Sequence, residues 1–322
     1  MNLRTRWPAA LAALFLALTL AACGTTDTPV PTPPAPPEIT GGAAPAAQTC
    51  TDRLQSYAPD ASNPFAMPGS STMAAIKARG RLIAGVSADT YLLGARNPVS
   101  GAVEGFDIDQ VKQIAKAILG DEDKVQLRVI TAAQRLEVLQ NHEVDVVVRN
   151  MTITCDRWKS IAFSAEYYLS GQKILVRKGS DITGLSSLAG HRVCAPLGTS
   201  SMDNLIRLAP DAVPVGADTH TGCLVLLQEG DVDAITGDDT VLAGLAAQDP
   251  YAVVLDEPAF TEEPYGIGIA PDQVDLVRFV NAVLEKEHAD GSWEASYQHW
   301  LQPTLGKSPG QPVPQYGRTP PS

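Results

Sequence analysis

The sequence predicts an α/β protein of two similar lobes, each a small sheet flanked by helices, with two hinge crossings between them. Three observations predict this. Short apolar strands alternate with amphipathic helices, the pattern of a mainly parallel sheet. The stretch 139–146, Leu-Gln-Asn-His-Glu-Val-Asp-Val, is echoed at 227–234 as Leu-Gln-Glu-Gly-Asp-Val-Asp-Ala, each a helix end, a turn and a strand start. Two short apolar segments bounded by turn residues, 171–177 and 265–270, read as the crossings out and back. Two crossings make a hinge, so the lobes can close over a ligand.

The chain has 322 residues and a formal net charge of −12, which argues against nucleic acid as a partner. A small anion must therefore be drawn by local cations. Aromatics are 6% of the chain, too sparse for a sugar- or base-stacking surface.

Arg4 and Arg6 precede an apolar run over 9–22, the pattern of a signal peptide over 1–22. The run ends Leu20-Ala21-Ala22-Cys23-Gly24, which resembles a lipobox, with Cys23 taking the lipid. The alternative is an ordinary secretory signal with Cys23 incidental. Acyl chains would hold the chain at the extracytoplasmic face of the cell membrane. Residues 25–48 are rich in Pro, Ala and Thr and read with Cys23 as a tether over 23–49.

Besides Cys23, the sequence has Cys50, Cys155, Cys194 and Cys223, and four cysteines allow three pairings. Cys194 with Cys223 is favoured because both fall in the second lobe. That leaves Cys50 with Cys155, tying an N-terminal extension (50–79) to the turn described below. Buried free thiols are the alternative. No metal-ligand spacing is present, and no cofactor is implied.

Lobe 1, taken as 80–174 plus 267–305, begins with a strand at 81–87. Gly105-Phe-Asp-Ile-Asp109 then opens a helix with Val111, Ile114, Ala115 and Ile118 on one face. A strand at 125–130, a helix at 134–140 and a strand at 144–148 follow. Lobe 2, taken as 175–266, has strands at 192–195, 213–215, 232–236 and 252–255. A long helix at 272–289 and a last one from 291 close the chain, and the Pro/Gly-rich 306–322 reads as a loose tail.

The third strand of lobe 1 runs into Arg149-Asn150-Met151-Thr152-Ile153-Thr154-Cys155-Asp156-Arg157. Thr154 is a good N-cap and Asp156 suits the positive helix end. Free amides, the Thr152 hydroxyl and the Arg157 guanidinium converge there. A guanidinium is a planar fork that holds a carboxylate by two bonds. The turn therefore reads as a site for a small carboxylate; a capped surface helix whose arginine pairs with a nearby acid is the bland alternative.

Thr152-Ile153-Thr154-Cys155-Asp156-Arg157, followed by Phe163-Ser164-Ala165-Glu166-Tyr167-Tyr168, resembles the ligand-binding turn of the polar-amino-acid solute receptors that serve ABC importers. The resemblance covers about 80–302, with Cys155 where the family often has an acid. It implies the type II periplasmic-binding-protein fold. It also implies an α-carboxylate grip at Arg157, Thr152 and the Thr199–Ser200 turn, and an α-ammonium acceptor at Asp238 helped by the Asn150 carbonyl. Asp89-Thr-Tyr-Leu-Leu-Gly94 looks closest to glutamate-type receptors of actinobacteria, which places Asp89 at the site. Where some members carry a Lys this chain has Pro196, and where some carry a His it has Gly237, so its side-chain readers must differ.

Arg149 is the main candidate reader. A charge at the end of an apolar strand is unfavourable unless paired, and a ligand carboxylate would pair it. Lys173 and Arg96 are second choices. The alternative is that Arg149 pairs with Asp107, Asp109 or Glu104 inside lobe 1. An acidic ligand, aspartate or glutamate, is thus expected, with asparagine and glutamine weaker. The expected protein is a monomeric lipid-anchored receptor, not an enzyme, whose partner is an ABC permease or a membrane sensor. A cyclohexadienyl dehydratase, with Glu104 or Glu166 as the cleft acid, and a scaffold with a dead cleft are the rivals.

Overall fold

The computed structural model describes residues 50–320 and Ile39. The signal peptide, Cys23 and nearly all of the tether lie outside the described residues.

In chain order the elements begin with β1 (Gln55–Ser56), α1 (Thr72–Arg79), β2 (Leu82–Val86), β3 (Asp89–Thr90), β4 (Gly94–Arg96) and β5 (Val103–Glu104). Next come α2 (Phe106–Leu119), β6 (Val125–Val129), α3 (Arg135–Gln140), β7 (Val146–Val147), α4 (Cys155–Trp158) and β8 (Ala162–Arg177). Lobe 2 then supplies β9 (Arg192–Pro196), α5 (Ser200–Leu208), β10 (Val213–Ala217), α6 (His220–Glu229), β11 (Ala234–Asp238), α7 (Asp239–Gln248) and β12 (Ala252–Val254). The return runs through β13 (Thr261–Ile269), α8 (Val274–Asp290), α9 (Ser292–Trp300), α10 (Gln302–Leu305) and β14 (Gln315–Tyr316).

Two sheets of one design are fused through β8 and β13. Lobe 1 has the order β6-β2-β7-β13, with the first half of β8 beyond β13, and lobe 2 has β10-β9-β11-β8-β12. In each, the first strand lies between the second and third, and a strand arriving from the other lobe lies between the third and the last. The first three strands of each lobe pair in parallel.

The internal echo holds at the level of atoms. Asp145 and Asp233 each accept from the backbone N–H at the first strand, Ile83 (2.7 Å) and Arg192 (2.8 Å) respectively. Each returns its own N–H to the carbonyl of the same residue, at 2.8 Å in both lobes. His142 and Gly230, matched in the echo, both turn the chain with positive φ.

Lobe 2 carries apolar cores on both faces of its sheet. Val193, Ala195 and Ala234 pack with Met202 and Leu205, while Cys194, Val215 and Ile235 pack with Leu224, Leu227 and Leu242. That double covering explains why its strands read as continuous apolar runs.

Three expectations need correction. The crossings are not short segments but parts of the long strands β8 and β13, which pair antiparallel from Thr261–Gln172 to Ile269–Ala162. The outgoing changeover falls where β8 passes from β13 to β11, around Gln172, slightly before the boundary expected at 174. The 306–320 segment is not loose: β14 pairs in parallel with β1, and the buried Gln311 donates to Leu284 O at 2.9 Å. Its partners are β1, near the other end of the described chain, and α8, so its Pro/Gly-rich composition gave no sign of them.

Both disulfides pair as expected, Cys50 with Cys155 and Cys194 with Cys223. Among the described residues no cluster of potential metal ligands is present.

Candidate ligand site between the lobes

Lobe 1 delivers three guanidinium groups. β7 ends and the chain turns at Asn150, which has φ +35° and whose N–H donates to the buried Asp107 at 2.8 Å. The turn puts Arg149, 4% exposed, at the strand end; its Nε donates to Ile130 O at 2.9 Å. None of Asp107, Asp109 and Glu104 makes an ion pair with it. Asp107 takes the Asn150 amide and the Tyr167 hydroxyl, Asp109 takes Ser296 and Trp300, and Glu104 takes Asn97. Burial pushes the Arg149 guanidinium down, while the charges of Asp89 and Asp107 pull it back.

Arg157 follows on α4, whose N-cap Thr154 accepts from Arg157 N at 3.1 Å. Its fork spans the two lobes: Nη1 donates to Thr152 O at 2.7 Å and Nη2 to Gly198 O at 3.3 Å.

The third guanidinium, Arg135, was missed by sequence reasoning. It is 2% exposed and donates to Arg149 O and Asn150 O (both 3.3 Å) and to Gly198 O at 3.1 Å. Burial, then Arg157 and Arg149, push it well down. Its position on the first turn of α3 was the available signal, because a cation there opposes the helix dipole. Gly198 must be glycine. Its φ is +71°, and a Cβ would sit 2.8 Å from Ala133 Cα of the facing lobe.

Lobe 2 delivers Asp238 at the end of β11, at the place equivalent to the Asn150 turn. It is 3% exposed, with Oδ2 accepting from Tyr265 OH at 2.7 Å and Oδ1 buried with no hydrogen-bond partner. Burial, then the Glu263 charge, push it up to about 7, with Arg135 pulling the other way. His220 opens α6, and its Nε2 is likewise buried and unpaired. Burial and Arg149 push the imidazole down to about 3, so it is neutral. A Cβ at Gly237 would lie 2.5 Å from His220 Nε2, so the ring fills the space over that glycine. Where some members of the family carry a His and this chain has Gly237, the His220 ring stands over the position, a neighbourhood that the sequence does not display.

The hydroxyl cluster differs from expectation. Thr152 and Ser200 both donate at 2.7 Å to one carboxylate oxygen of Glu263, which is 2% exposed. Its other oxygen accepts from Asn204 at 3.0 Å and Thr261 at 2.7 Å. The carboxylate these hydroxyls hold is thus one of the chain's own, because a buried carboxylate must be hydrogen-bonded. Thr199 caps α5, with Oγ1 accepting from Met202 N and donating to Pro196 O. The Asn150 carbonyl receives Arg135, and the Asn150 Oδ1 is the unpaired atom of that side chain. Beside this cluster a cavity of about 550 Å³ is lined by Arg157, Thr152, Gly198, Ser200, Glu263 and Arg207, among others.

The Asp89 carbonyl accepts from Thr221 of lobe 2 at 3.0 Å, its carboxylate accepts from Ser87 at 2.8 Å, and its charge acts on Arg149 and His220. Lys173 is paired in register with Gly237, on the strand face opposite the side chain of Gln172. Arg96 is exposed and donates to Gly101 O in its own loop; among the described residues no hydrogen bond or ion pair joins it to the cluster. As a reader of the ligand it is set aside. Glu104 is held by Asn97 at 2.7 Å. Glu166 is pushed up to about 7 by burial, and its charged neighbours are Arg53 and Glu262, outside the Asp238 cluster.

Two lobes of one topology on a two-strand hinge, with buried polar atoms facing the seam, define a solute receptor of the closing-cleft kind. The chain belongs to the bacterial extracellular solute-binding proteins, family 3, whose model matches residues 82–303. It is 40% identical over 232 residues to the ABC transporter glutamine-binding protein GlnH of Bacillus subtilis, covering 72% of this chain and 85% of that one. It is 34% identical over 250 residues to the glutamate-binding protein GluB of Corynebacterium efficiens, covering 74% of this chain and 83% of that one. Among solved structures it resembles an ancestral amino-acid-binding protein described as a precursor of cyclohexadienyl dehydratase. The TM-score is 0.66 at 31% identity, over 72% of this chain and all of that one.

Proposed function

We propose that this chain is a lipid-anchored extracytoplasmic receptor that closes over one amino acid and hands it to an ABC importer. The ligand is glutamate, aspartate or one of their amides. The observation that carries the reading is the division of charge across the seam. Lobe 1 supplies Arg135, Arg149 and Arg157, and lobe 2 supplies Asp238 with an unpaired buried oxygen. A zwitterion satisfies both sides at once. Its carboxylate goes to Arg157, sharing the Thr152 and Ser200 hydroxyls with Glu263 or displacing it, and its ammonium goes to Asp238 Oδ1.

Arg149 and His220 read the side chain. The guanidinium suits a carboxylate, and the unpaired imidazole Nε2 suits the N–H of an amide. The glutamine- and glutamate-binding relatives support the same pair of ligand types. Delivery to a permease and reading by a membrane sensor would use the same outer surface of the closed form; uptake assays with and without the permease separate them. A dehydratase is disfavoured because its candidate acids, Glu104 and Glu166, stand apart from the Asp238 cluster.

A thermal-shift screen of the twenty amino acids tests the reading, since a ligand that binds only the folded state raises the melting temperature. Glutamate, glutamine, aspartate or asparagine should give the largest shifts. A screen in which none of the twenty moves the transition rejects the proposal, and turnover of prephenate or arogenate would replace it with the enzyme.

A further inference from the structure

The family match ends at 82 and 303, yet the chain continues in ordered form on both sides of it. Residues 50–57 and 315–318 meet against α4, the helix that carries Arg157. Cys50 is bonded to Cys155, the first residue of that helix. Trp158, its last residue, donates through Nε1 to Arg53 O at 2.8 Å and meets the Tyr57 ring edge-on at 6.2 Å. From the other terminus the Arg318 guanidinium lies 3.8 Å over the Trp158 ring. Arg318 also donates to Gln55 O and Asp52 O, both at 2.9 Å, beside the β1–β14 pairing.

α4 is one turn of four residues. So short a helix has no stability of its own, because nucleation is unfavourable and almost no propagation follows it. Within the turn, Arg157 N donates to the Thr154 cap and Trp158 N to Thr154 O, while on the C-terminal side the Arg157 carbonyl accepts from Ser160 N and Ile161 N at 3.0 and 2.9 Å. The two residues held from outside, Cys155 and Trp158, flank Arg157 on either side. A cation over an indole face is attracted by the ring quadrupole, and a disulfide limits how far its two ends can part.

We propose that the two terminal segments form a clasp that positions Arg157, with Cys50, Cys155, Trp158 and Arg318 as positioning residues for ligand capture. The inference rests on the amino-acid receptor reading above. The clasp holds α4 so that the guanidinium reaches Thr152 O and Gly198 O across the seam without first ordering the turn. Without it, the turn must be ordered at each capture, and that entropy is drawn from ligand affinity. Because every amino acid presents the same α-carboxylate, the loss must be equal for all ligands.

The full chain, a C50S/C155S double variant, R318A and R318K are titrated with glutamate and with glutamine, well below each melting transition. We expect about a tenfold weakening in the double variant and in R318A, the size of ordering about one residue. The loss is the same factor for both ligands, and R318K recovers part of it by restoring a cation over Trp158. A clasp that merely stabilises the fold would lower the melting temperature and leave both affinities unchanged, which overturns the proposal. Losses that differ between the two ligands also overturn it. R318A keeps the test decisive if the double variant does not fold. A wild-type chain that binds neither these two nor any other of the twenty amino acids rejects the receptor reading itself, whereas wild-type binding with unaltered variants rejects the clasp alone.

Discussion

The two lobes share one plan and differ in what they place at the same point of it. Each carries an aspartate that closes two hydrogen bonds onto its first strand, Asp145 in lobe 1 and Asp233 in lobe 2. Each then runs a third strand toward the seam. In lobe 1 the strand stops after two residues and turns at Asn150 into the helix of Arg157. In lobe 2 it continues for five residues and delivers Asp238 directly. The scaffold is common to both lobes, whereas the strand ends differ in charge, one basic and one acidic. On the proposed reading neither half alone matches a zwitterion, so ligand affinity and lobe closure would be one event, and a ligand that lacks either charge would leave a buried group unpaired.

The largest expected effect comes from breaking the basic half. Arg157→Ala should abolish measurable binding of every amino acid in calorimetry, a loss of more than about a hundredfold for a buried charge-assisted pair. Retained binding would mean that Arg135 or Arg149 is the true carboxylate grip and that the equivalence of the strand ends is misassigned.

Breaking the acidic half should be nearly as severe, with a second signature. Asp238 is pushed up from its usual 3.8 to about 7 in the folded chain. Between those values the folded state holds a proton that the unfolded chain releases, so stability falls as pH rises through that window. Above about pH 7 the ionised Asp238 weakens the ligand-free protein, and the same ionised form is what an ammonium needs. Asp238→Asn should therefore weaken binding severely yet raise the ligand-free melting temperature above that pH. Wild-type affinity should weaken as pH falls below about 7, whereas the residual affinity of the variant should not follow pH. Melting curves and titrations at several pH values check both signs, and a variant that melts lower at alkaline pH would contradict the argument.

A subtler contrast lies within lobe 1. Arg149→Ala should weaken glutamate and aspartate by about tenfold more than their amides, the size of one charge-assisted hydrogen bond. Equal losses for all four would make Arg149 a structural group rather than a reader.

What the sequence revealed follows from how local each signal is. The echo at 139–146 and 227–234 disclosed the duplication because it repeats a short helix-to-strand turn whose aspartate makes the same contact twice. The Thr152–Arg157 turn was legible because its cap and guanidinium are neighbours in sequence. Arg135, Glu263 and Asn204 were not, since their partners sit on other strands and on the facing lobe. His220 escaped notice for a related reason: sequence inspection showed an imidazole missing at 237 but could not show another ring filling that space. Arg96 was over-read, because a charge near an apolar strand looks the same whether it turns to a cleft or to its own loop.

The smallest expected effect tests whether the shared scaffold is independent of the divergent ends. Asp145→Ala and Asp233→Ala each remove an acceptor from a backbone N–H at the start of a first strand. Each should lower stability by about 1–3 kcal/mol, the penalty for leaving such a group unpaired. Asp145→Ala should be the more damaging, because Asp145 is the more buried of the two and also pairs with Arg79, whereas Asp233 has the His191 ring beside it, Nδ1 at 3.4 Å. The two sites lie in different lobes with no shared partner, so their effects should add within a few tenths of a kcal/mol. Ligand affinity measured well below the transition should stay at the wild-type level in both. If instead Asp233→Ala weakened the ligand while Asp145→Ala did not, lobe 2 would be transmitting scaffold strain along β11 to Asp238. The duplicated plan would then be part of the binding site and not merely its frame.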